Sequence, residues 1–146
     1  MLQTDRPAWD RPYSPSFNSA RFGIYQQSCL RIELSASVQQ VRDSLLSPEQ
    51  FQDWLFPQQF LPPLPDRLEP ELTFTSYLGP VAIDHQVTIV EDDRLQLLLS
   101  RGVDGFHEWT WGEGWVQARL EGISVLPLNL GQTYSLMRLR QHLAMV

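Results

Sequence analysis

The sequence predicts an α+β domain: one strand, two short helices, an antiparallel meander and a long closing helix. Three observations carry this reading. Leu30, Ile32, Leu34 and Ala36 alternate with Arg31, Glu33 and Ser35, the period of a half-buried strand. Two helix-start signals follow at Ser37 and Ser47. Alternating segments separated by hairpin-length breaks then fill residues 72–123, and residues 128–145 hold no breaker after Gly131.

Each element has its own warrant. Ser37 and Gln40 have capping-box spacing and open the apolar series Val38, Val41, Leu45. In Ser47-Pro48-Glu49-Gln50, Ser47 can cap, Pro48 suits the first helical position and Gln50 can reach back. Phe51, Trp54 and Leu55 then share one helical face. Residues 57–70 hold five prolines, so they form an ordered loop or extended connection, with Phe60, Leu61 and Leu64 laid on the body.

Four strand regions follow this loop. Leu72, Phe74, Ser76 and Leu78 alternate up to Gly79-Pro80. Val81, Ile83, His85, Val87 and Ile89 share a face that is assigned inward, opposite Asp84, Gln86 and Thr88. Glu91-Asp92-Asp93 reads as a turn, and Leu95, Leu97 and Leu99 alternate after it. Strands at about 105–111 and 115–123 meet through Gly112-Glu113-Gly114. In the closing helix Asn129 and Gln132 have capping spacing. Leu130, Tyr134, Met137, Leu136, Leu139 and Leu143 form a broad apolar stripe.

At 146 residues the chain is long enough for one domain with a sizeable core. Residues 1–21 read as a flexible or loosely docked arm carrying Trp9, Tyr13 and Phe17, and residues 22–146 as the domain. The formal charge of -6 argues against nucleic acid, which needs a basic face. All eleven basic residues are Arg, so a lysine Schiff base is excluded. Cys29 is the lone cysteine, which excludes an internal disulfide and a Cys-rich zinc site; it is expected as a small buried group. No metal motif and no cofactor motif occurs. MLQTDRPAWD lacks the apolar core of a secretory signal and no run reaches membrane-spanning length, so the expected location is the cytoplasm.

The order of elements resembles the START-like superfamily, also called SRPBCC or polyketide cyclase/dehydrase-like. The residues that carry the resemblance are LRIELSAS with Val38 and Val41, then SPEQFQDWL closing on Trp54, and the terminal PLNLGQTYSLMRLRQHL. The resemblance covers Leu30 to the end. It implies a helix-grip fold, a strongly curved antiparallel sheet of six or seven strands gripping the long helix over a pocket. It also implies a ligand class of lipids, isoprenoids, pigments or polyketide-like molecules.

The candidate chemistry is sparse. His85 falls on the inward face, either as a satisfied core histidine or as acid, base or donor to a ligand oxygen. On the strand around residue 107, one face carries His107, Trp109 and Trp111, and the other Phe106, Glu108 and Thr110. A tight turn at Asp104-Gly105 would send Glu108 inward, and a wider Gly102–Gly105 loop would send His107 and the tryptophans inward. The second is adopted, because Trp109, Trp111 and Trp115 outside would make a large apolar patch.

The leading expectation is a binding protein for a small hydrophobic molecule, lined by Phe74, Ile83, His85, Val87, Leu97, Trp109, Trp111, Tyr134 and Met137. A cyclase or dehydratase using His85, or His107 with Glu108, is the first alternative. An assembly module, as a homodimer or with a protein partner, is the second, with the aromatic arm and the tryptophan patch as its contact surface.

Overall fold

The computed structural model describes residues 23–55 and 57–145. The expected N-terminal arm lies outside them. The chain forms β1 (Ile24–Glu33), α1 (Val38–Leu46), α2 (Pro48–Trp54), β2 (Gln59–Phe60), β3 (Thr73–Leu78), β4 (Val81–Val90), β5 (Arg94–Arg101), β6 (Val103–Gly112), β7 (Trp115–Ser124) and α3 (Leu128–Ala144). The seven strands make one antiparallel sheet in the order β1-β7-β6-β5-β4-β3-β2. Ile24–Gln27 continues the first strand backwards, and the proline-rich loop supplies β2.

The three helices start in three different ways. Ser37 and Gln40 form the reciprocal capping box of α1. Pro48 opens α2, but Ser47 makes no side-chain cap. Gln50 is drawn away instead, its Oε1 accepting from Ser44 Oγ at 3.1 Å and from His142 Nε2 at 3.0 Å, which ties α2 to α1 and α3. α3 begins at Leu128, so Asn129 and Gln132 lie inside it and do not cap. The cap comes from β1: Gln26 Oε1 accepts from the Leu128 N–H at 3.1 Å while its Nε2 donates to the Leu126 carbonyl at 2.8 Å.

The inner face of the sheet carries Ile83, Val87, Leu95, Leu97, Leu99, Trp109, Trp111, Val116, Ala118 and Leu120 against α1, α2 and α3. Several inward assignments are corrected. A bulge between Val87 and Ile89 shifts the register, so Val90 rather than Ile89 packs on the core. On α3 the buried positions are Leu128, Gln132, Leu136, Leu139 and Leu143. Leu130, Tyr134 and Met137 lie on the exposed side of that helix, with Met137 53% exposed. Cys29 is exposed, because β1 turns Ser28 and Leu30 inward and therefore Cys29 and Arg31 outward. In the proline-rich loop the anchors are Phe60 and Leu68, whereas Leu61 is exposed.

The backbones of β6 and β7 approach closely at one pair of glycines. Gly105 and Gly122 are register partners there. A Cβ on Gly105 would lie 1.8 Å from the Glu121 carbonyl oxygen and 2.6 Å from Gly122 Cα. Both obstacles are backbone and cannot swing aside. We predict that Gly105→Ala lowers stability by about 3 kcal/mol, the upper end for overpacking. Urea unfolding followed by circular dichroism checks this; an unchanged midpoint would show that the close approach tolerates a side chain.

Candidate functional site

Strand register decides which side chains meet under the long helix. β5 and β6 pair Leu97 with His107, Leu95 with Trp109 and Leu99 with Gly105. That parity sends His107, Trp109 and Trp111 inward and Glu108 outward, where Arg94 Nη2 holds it at 2.9 Å. The turn responsible lies at Arg101-Gly102, and Asp104-Gly105 is already strand. The tryptophan patch is not formed: Trp109 and Trp111 are buried, and the Arg31 guanidinium sits 4.1 Å above the Trp115 ring.

Between the sheet, α2 and α3 lies a cavity of about 590 Å³. Of the expected ligand contacts, Phe74, Ile83, His85, Leu97, Trp109 and Tyr134 line it. Val87 and Trp111 are core residues beyond its wall, and Met137 is outside it. Tyr134 and Leu130 line it while also being exposed, which places the mouth beside the first turns of α3. Sequence reasoning missed Trp54, Gln58 and Gln132, which line the wall, and Ser76 behind it.

His85 is held by two contacts. Its ring stacks on Phe74 at 4.5 Å between centroids and 6° between planes. Its Nε2 lies 2.8 Å from Ser76 Oγ, and Ser76 Oγ accepts from Gln58 Nε2 at 2.5 Å. Ser76 Oγ keeps both its proton and a second lone pair for His85 Nε2, so this contact forms with the His85 proton on either ring nitrogen. Burial pushes His85 down to about 4, against the opposing pull of Asp84, and burial pushes His107 down to about 3 with His85 adding to the effect. Both rings are therefore neutral at pH 7.

Among the described residues that line the cavity, none is Asp, Glu, Lys or Arg. Three lining residues nevertheless hold buried polar atoms without a hydrogen-bond partner: His85 Nδ1, His107 Nε2 and Gln132 Oε1. Buried polar atoms are seldom left so. Among the described residues no group of three His, Cys, Asp or Glu side chains could hold a metal ion.

Solved structures place this geometry. A crystal structure of DynU16, a protein of the dynemicin biosynthetic locus, superposes with a TM-score of 0.62 at 19% identity, over 81% of this chain and 47% of that one. This chain thus spans about half the length of DynU16. Mll3558 from Rhizobium loti superposes at 0.66 with 14% identity, over 84% of this chain and 98% of that one. The fold is START-like. The Aha1 dimer from Colwellia psychrerythraea shares it, at a TM-score of 0.59 and 12% identity over 81% of this chain and 96% of that one. No protein-family model matches the chain, and no curated protein matches its sequence. No described helix is long and apolar enough to cross a membrane. In this START-like domain the cavity occupies the space between sheet and long helix, the place that the sequence resemblance implies.

Proposed function

We propose that the protein binds a small, mainly apolar molecule, of lipid, isoprenoid, pigment or polyketide-like type, between the sheet and α3. The observation that carries this reading is an apolar cavity of about 590 Å³ whose wall leaves three polar atoms without partners. That size lies within the range typical of small-molecule sites, as does a wall of apolar side chains with few polar groups. Phe74, Ile83, Leu97, Trp109 and Tyr134 supply the apolar contact, and His85 and His107 the orientation.

An acid/base enzyme has one specific observation in its favour, the neutral imidazoles at the cavity wall. The Ser76–His85 pair has the spacing of a nucleophile and its base. Ser76 is fully buried and does not line the cavity, so nucleophilic attack through it is unsupported. Binding is therefore the reading preferred.

Native mass spectrometry with organic extraction, on protein purified from its own source, tests the proposal. We expect a released hydrophobic molecule. Empty protein that also fails to take up 2-methylnaphthalene would refute the binding reading.

A further inference from the structure

We infer that the cavity selects an uncharged ligand with a hydroxyl- or carbonyl-type head on an apolar body, and rejects carboxylates of the same shape. The inference rests on the binding reading above and adds the charge and hydrogen-bonding class of the ligand.

The first support is where the charges lie. Arg94 with Glu108, Arg101 with Asp84, and Arg119 with Glu121 form ion pairs on strand residues that do not line the cavity. Among the described residues no cation lines the cavity to meet a buried anion, so a carboxylate entering it loses its hydration without a counter-charge from them. The titratable groups that do line it are His85, His107 and Tyr134.

The second support is the inventory of unpartnered atoms. His85 Nδ1 has no partner and, like any neutral imidazole nitrogen, donates or accepts according to the tautomer. Gln132 donates through Nε2 to the Ala118 carbonyl, so its free Oε1 is an acceptor. His107 Nε2 takes either role. A hydroxyl head can accept from an imidazole N–H and donate to the Gln132 oxygen, and a carbonyl head can accept from either imidazole. A carboxylate can also accept, but it brings a full negative charge to a wall that carries the Gln132 oxygen and, among the described residues, no cation.

Three probes of one shape test this on the full chain: 2-methylnaphthalene, 2-acetylnaphthalene and 2-naphthoate, read by tryptophan fluorescence and calorimetry. We expect the ketone to bind about tenfold more tightly than the hydrocarbon, the worth of one good hydrogen bond. A carboxyl with a pKa of about 4.3 is neutral in only about one molecule in 500 at pH 7. The acid should therefore weaken about tenfold per pH unit between about pH 5 and 7, while the ketone stays flat. His85→Phe should bring ketone and hydrocarbon to parity.

Equal affinity of ketone and hydrocarbon in the unmodified protein would overturn the head-group inference and leave the binding reading standing. Naphthoate binding as tightly as the ketone without pH dependence would overturn the charge inference. Failure of all three probes by protein that is also empty when purified from its own source would remove the binding reading itself, and this inference with it; failure by protein that carries a native ligand would overturn this inference alone.

Discussion

Acidification from pH 6.5 towards 4 destabilises this protein steeply, at a slope approaching 3 kcal/mol per pH unit. The cause is the two cavity-wall histidines. In the unfolded chain both titrate near 6.5, whereas in the folded protein burial holds His85 to about 4 and His107 to about 3. Within that window the unfolded state binds more protons than the folded state, the difference approaching two near about pH 5. Stability therefore rises with pH there and is lost as pH falls. Each imidazole contributes about 1.4 kcal/mol per unit until its folded value is reached. The Asp84 carboxyl, held low by Arg101, contributes its loss only within the ordinary carboxylate range and below. Urea midpoints at about pH 7, 6 and 5 read the slope, and the double variant His85→Gln, His107→Gln should flatten it. If that variant fails to fold, imidazole NMR titration of the unmodified protein decides the matter. Two cavity histidines titrating near 6.5 would sink the prediction and would mean that water reaches both rings.

The same two residues show how far the sequence could be read. Alternation alone put His85 on the inner face of β4, since Ile83 and Val87 flank it at period two. It could not show the bulge beside Thr88, because that depends on how β5 pairs with β4. For His107 the two registers were both legible, and the choice rested on the cost of exposing three tryptophans. α3 was harder. It carries two apolar stripes, and the one that enters the core includes Gln132, a polar residue that hydropathy places outside. Its amide finds the Ala118 carbonyl, and that pairing offsets the cost of burial. Ser76 lay between Phe74 and Leu78 in an inward series, so its burial was readable. Its partner Gln58 was not, because a proline-rich loop has no period that gives direction.

The wall of the cavity is the place where stability and function meet, and Trp54 is its largest fully buried side chain. Its ring stands edge-on to Trp109 at 5.8 Å and to Phe51 at 6.3 Å, and its Nε1 donates to the Ser44 carbonyl at 3.2 Å. Trp54→Ala should cost about 3–5 kcal/mol, the range for deleting a buried aromatic ring, and lower the melting temperature by roughly 10 °C. Trp111→Ala removes an equally buried ring, but Trp111 does not line the cavity. The two variants should therefore lose similar stability and differ in what restores it. In Trp54→Ala the vacated space joins the cavity, so at one fixed concentration 2-methylnaphthalene should bind this variant more tightly and stabilise it by about 1.4 kcal/mol more than the unmodified protein for each tenfold gain in affinity. In Trp111→Ala the hole is sealed behind the wall, and the probe should recover no more than it adds to the unmodified protein. Equal rescue of both variants would show that the two rings border one space. No rescue of either would show that the cavity does not admit an apolar ligand, whatever its volume.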